Sequence, residues 1–191
     1  MPASSRLAFA TAAAAAAAAI YYWRRRRARA HGLSRSDFCA RAPKVELHVH
    51  LDGAFDASYL YACARRHVDA LPASIELFGR APFPLQRAIR ESASEQDFVA
   101  ASFHLPESTN TLVDFLAPFP ISMSIVHTAM AAEGLAPVEE IAYLFAKRQH
   151  ESNVIYTEVR YNPHLFLDAA RQAGPERYER AKGVVWAVAR S

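Results

Sequence analysis

Acidic residues are missing from the first 35 positions of this 191-residue chain, where seven arginines (Arg6, Arg24, Arg25, Arg26, Arg27, Arg29 and Arg35) stand instead. Charge of either sign is missing from Leu7 to Trp23, a stretch made mostly of alanine. Cysteine is scarce. Cys39 and Cys63 offer neither a zinc-knuckle spacing nor a disulfide framework, and a reducing compartment is the simpler inference. The body of the chain also lacks a basic excess. The whole sequence holds 22 Lys and Arg against 19 Asp and Glu, but beyond position 35 the balance is 15 against 19. A mildly acidic body speaks against nucleic acid held on a basic face.

What is present at the start is a leader. Seventeen uncharged residues reach the low end of the roughly 17–25 needed to span a bilayer. Tyr21, Tyr22 and Trp23 suit an interfacial belt, and the arginines after them would stay in the cytoplasm. Residues 7–27 are therefore expected to associate with a membrane and to leave the body cytoplasmic. An acid-free, arginine-rich leader also fits organelle targeting, whereas a cleaved signal should carry its charge before the apolar stretch. The expected organisation is a leader over 1–35, a linker over 36–42 and one domain over 43–191.

The domain opens on Val45-Glu46-Leu47-His48-Val49-His50-Leu51-Asp52-Gly53. In a strand, successive side chains point to opposite faces. Val45, Leu47, Val49 and Leu51 then share one face, expected to pack on helices. Glu46, His48, His50 and Asp52 share the other. Two imidazoles between two carboxylates suit a metal or a polar substrate; ordinary amphipathicity of a solvent-facing strand is the alternative. Asp56 can N-cap a helix running to about His67. Residues 72–110, interrupted by Pro72, Pro82, Pro84 and Pro106, read as a long loop with one or two short helices. Leu112, Phe115, Leu116 and Phe119 follow helical spacing. Helices are expected over 121–130 and from Pro137 to about His150. Val154 to Tyr161 is β-branched and aromatic, a second strand ended by Asn162-Pro163. A last helix follows Gly174-Pro175, with Val184, Val185 and Val188 as its apolar positions. Strand, helices, strand, helix is the order of an α/β fold with parallel strands. Glu46 and Glu158 would face one interior, with Arg160 as the cation expected to neutralise them.

At this point the sequence resembles the adenosine deaminases. Pro43 to Ala54 is similar to that family's opening strand, Tyr61 to Pro72 to its first helix with an Arg-Arg pair, and Thr111 to Phe119 to its Leu-Pro-Asp-Phe-Leu segment, with Val113 in place of the proline. Glu158-Val159-Arg160-Tyr161-Asn162-Pro163-His164 is similar to its second strand. The four matches are collinear, with an apparent insertion around Phe83 to Ser102. The resemblance implies an N-terminal fragment of a (β/α)8 TIM barrel, about two βα units with extra helices. It implies zinc-dependent hydrolytic deamination of adenosine to inosine and ammonia, with Zn2+ as cofactor and a purine nucleoside as substrate. His48 and His50 match the family's first two zinc ligands. His50 and Asp52 match positions that approach the ribose. Leu112, Phe115, Leu116 and Phe119 match the hydrophobic gate over the purine, for which a core-facing helix is an equally compatible reading. The family's His-Ala-Gly-Glu motif and Asp-Asp pair do not occur in these residues. No catalytic residue is therefore expected here, and the chain is expected to be incomplete. A tethered, inactive interaction piece is the alternative function.

Overall fold

The computed structural model describes Trp23 and residues 34–78, 80–104, 111–167 and 176–190. The leader expected over 7–27 lies outside the described residues, apart from Trp23. In chain order the elements are α1 (Arg35–Arg41), β1 (Lys44–His50), a 3-10 turn (Leu51–Gly53), α2 (Ala57–Arg66), α3 (Leu85–Glu91), α4 (Glu95–Phe103), α5 (Leu112–Leu116), α6 (Phe119–Glu133), α7 (Ala136–Glu151), β2 (Val154–Arg160) and α8 (Arg177–Arg190). They divide into two compact units: Met1–Val49 with Lys147–Val159, and His50–Ala146 with Arg160–Ser191.

The first unit is built on the β1–β2 pair. The Lys44 amide donates to the Asn153 carbonyl at 3.0 Å. The two strands run parallel, in the register this bond sets. That register sets Val45 beside Ile155, Val49 beside Val159 and His48 beside Glu158. Lys44 fastens the beginning of the sheet. Its ammonium donates to the carbonyls of Ala40 (3.3 Å), Ala42 (3.2 Å) and Ser152 (2.8 Å). Asn153, at φ 57°, takes the left-handed conformation that asparagine tolerates, and its side-chain amide donates to the Arg41 carbonyl.

Two sequence expectations are corrected in this unit. The segment read as linker contains α1, N-capped by Ser34, whose hydroxyl accepts from the Asp37 amide at 3.1 Å. The aliphatic face expected to pack on helices is divided: Leu51, in the turn after β1, is buried, whereas Val45 and Leu47 are not covered by the described residues. Val45 is 50% and Leu47 60% exposed, and Ile155 and Val159 on β2 are 48% and 38% exposed.

The second unit holds the core. In α2, Asp56 caps the first turn through the Tyr59 amide, and Leu60, Cys63 and Ala64 are buried. This helix packs against α3, α4 and α6. The stretch that reads as poorly patterned loop supplies much of that packing. Leu85, Ile89 and Phe98 are fully buried. Phe98 stacks on Tyr61 with centroids 5.4 Å apart and meets Phe103 edge-on at 5.7 Å. Its helix starts on a capping box between Ser94 and Asp97. Helix α6 buries Ile121, Met123, Ile125, Val126, Ala129 and Met130. It closes at Gly134, whose φ of 70° favours glycine. Pro137 stands second rather than first in α7. In α8, Ala181, Val184 and Ala187 face inward, while Val185, read as one of its apolar positions, is 43% exposed. Gly183 leaves room for Leu135, whose Cδ1 lies 3.2 Å from where a Cβ would stand.

Candidate functional site

The polar face of β1 ends at His50, and the chain then tightens into the 3-10 turn that carries Asp52. Alternation puts His48 and His50 on the same side of the strand, and both are exposed. Asp52 is 4% exposed. A buried carboxylate is costly unless its oxygens are satisfied. Oδ2 accepts from the Asn162 backbone amide at 3.3 Å, just past the end of β2. Oδ1 lies 3.4 Å from Nδ1 of His50. The structure thus brings His50 and Asp52 together and ties both to the segment leaving the neighbouring strand.

Further along the polar face, His48 stands beside Glu158 in register. Glu158 accepts from the Tyr156 hydroxyl at 3.1 Å. That bond, made to an ionised acceptor, pushes the phenol above its ordinary value. Arg160 is exposed and Glu158 only half-buried, so the strand does not show the fully buried carboxylates for which Arg160 was expected as neutraliser. Tyr156 was missed as a partner of Glu158. Its signal in the sequence was its position two residues before Glu158, hence on the same face.

The four apolar candidates fall on two elements. Leu112 (71% exposed), Phe115 (60%) and Leu116 (38%) lie on α5, and Phe119 begins α6 half-buried. No residue of α5 is buried, so its exposed members are not the core-facing helix that their spacing also allowed. Polar contacts hold this short helix instead. The Thr111 hydroxyl accepts from the Asp114 amide at 3.1 Å, and Arg80 donates to the Asp114 carbonyl at 3.2 Å.

The other histidines divide by role. His127 lies 2.6 Å through Nε2 from the Leu165 carbonyl and His67 2.6 Å from Glu133, both structural contacts. His164 sits in the turn after β2, where its amide donates to the Asn162 side chain at 3.0 Å. Among the described residues, no group of three or more His, Cys, Asp or Glu side chains is arranged to hold a metal ion.

Two parallel strands joined through helices define an α/β protein, a class that binds ligands beyond the C-terminal ends of its strands. The profile of the adenosine deaminase family matches residues 43–177. This chain belongs to the adenosine deaminase family. It is 33% identical over 141 residues to an adenosine deaminase of Bos taurus, covering 74% of this chain and 31% of that protein. It is 31% identical to one of Rattus norvegicus, covering 74% of this chain and 32% of that protein. For one of Danio rerio the identity is 31%, over 66% of this chain and 28% of that protein. The chain therefore spans about three-tenths of the length of these relatives.

Proposed function

We propose that this chain is the N-terminal part of a zinc-dependent (β/α)8 barrel that deaminates adenosine, or a related purine nucleoside, to inosine and ammonia. The observation that carries the reading is the strand end itself: His48 and His50 on one face, with a buried carboxylate beside Nδ1 of His50. That donor set fits half of a catalytic zinc site, which takes three protein ligands and keeps a position for water. His48 and His50 would hold the metal, and the Lewis-acid activation of water is what the metal would supply. His50 and Asp52 stand toward the ribose. Leu112, Phe115 and Leu116, exposed on α5, with Phe119 after them, shield the purine from water. No residue of this chain is assigned the proton transfers. Residues 7–27 are assigned to a membrane, with the domain on the cytoplasmic side.

Zinc titration of the metal-free chain tests the core of this reading. Uptake of one zinc, lost in His48→Ala and His50→Ala with the helical circular dichroism unchanged, is the expected result. Inosine release by these 191 residues alone would overturn the assignment of the proton transfers elsewhere. A fusion of residues 1–35 to a fluorescent protein should partition with membranes; import into an organelle lumen would replace the anchor with a targeting segment.

A further inference from the structure

Asp52 has more to do than meet a sugar. We propose that it is a positioning residue, whose buried carboxylate decides which nitrogen of His50 carries the proton and fastens that imidazole to the segment leaving β2. The asymmetry of the pair is the starting point. The His50 side chain is 63% exposed and that of Asp52 6%. The carboxylate is thus the fixed member and the ring the member to be oriented. Its position is set from the second strand, because Oδ2 holds the Asn162 amide.

An ionised carboxylate can only accept. With Oδ1 at 3.4 Å from Nδ1, the favourable neutral form of His50 carries its proton on Nδ1 and its lone pair on Nε2. At that distance the contact is electrostatic rather than a formed hydrogen bond, but its sign selects the same form. Neutral imidazole in water prefers the opposite tautomer, with the proton on Nε2. The structure therefore inverts a default. Metal-bound histidines commonly present one nitrogen to the ion and donate the other N–H to a carboxylate. The arrangement sets Nε2 of His50 as the donor nitrogen before any ligand arrives. In its metal-binding consequence, the inference rests on the zinc reading above; in the tautomer itself, it does not. A carboxylate offers about four acceptor positions, so a sugar contact remains open to the same group.

The test uses the metal-free full chain with 15N-labelled histidine at about pH 8, where an ordinary histidine is neutral. Long-range 1H–15N correlations assign the proton, and loss of one ring system in His50→Gln identifies the residue. The expected wild-type pattern is Nδ1–H. Asp52→Asn should invert it. The Asn162 amide holds the side-chain oxygen of the new residue on its own side, which turns the NH2 group toward Nδ1 and leaves the proton on Nε2. Zinc affinity, measured by calorimetry, should fall about 10–100-fold in the same variant. An Nε2–H pattern in the wild type, or an unchanged pattern in Asp52→Asn, overturns the proposal. Should the wild type show Nδ1–H yet take up no zinc, the role of Asp52 is supported and the metal reading falls.

Discussion

Glu133, at the end of α6, receives two partners from the end of α2. Its Oε1 accepts from Arg66 at 2.9 Å and lies 2.6 Å from Nε2 of His67. Chiefly the Arg66 bond, and after it the His67 bond, hold the carboxyl below its ordinary value near 4.5. The folded form thus binds this proton less readily than the unfolded chain. The stabilisation is complete above the ordinary carboxyl range and fades as pH falls through the depressed value. Glu133→Gln should lower the melting temperature at neutral pH, and the difference from wild type should shrink as pH falls below about 4. The two cysteines separate as sharply. Cys39 is exposed and Cys63 buried, and burial pushes the Cys63 thiol up from its ordinary value. Alkylation of the native chain at neutral pH should modify Cys39 quickly, with Cys63 reacting only after denaturation, as read by intact mass. At this scale the placement of His48 and His50 on one face of a strand was legible, because alternation needs only nearest neighbours, whereas Asp52, read as part of that strand, lies in the 3-10 turn after it. The Asn162 amide on Asp52 was not legible, since it arrives across a sequence separation of 110 residues.

Among the elements, two short helical regions show opposite relations between pattern and burial. Helix α5 has apolar residues at helical spacing and buries none of them. Helices α3 and α4 look polar and interrupted, yet Leu85, Ile89 and Phe98 are fully buried. The reason is length. A seven- or nine-residue helix shows too few turns for a periodic stripe, and two or three large side chains suffice to anchor it. Spacing alone likewise could not say whether a face meets protein or solvent, so α5 read equally well as core. The capping box from Ser94 to Asp97 was the available signal for α4, hidden within a charged run. A paired measurement follows from the contrast. Phe98→Ala should cost about 3–5 kcal/mol of stability, whereas Phe115→Ala, at an exposed position, should stay within about 0.5 kcal/mol. Denaturant melts of both variants give the comparison directly. If α5 shields the purine, Phe115→Ala also weakens nucleoside binding while leaving the melt in place.

For the molecule as a whole, the α/β class and the order strand, helices, strand, helix were readable, because alternation marks β1 and a β-branched, aromatic run marks β2. The exposed apolar side of β1 and β2 was not, because alternation marks an apolar face without saying what covers it. Such a surface is a site for association. The chain should bind an apolar fluorescent dye and associate with rising concentration, and Leu47→Lys should reduce both while leaving the helical signal intact. Light scattering across a dilution series checks the second effect. The fastening of Lys44 to the Ser152 carbonyl, 108 residues away, has a consequence in time rather than in space. At the usual pace of roughly 5–20 residues per second on the ribosome, β1 emerges about 5–20 s before its partner strand has been made. Through that interval the helices between them can form from local contacts, while the histidine strand waits with nothing to pair with.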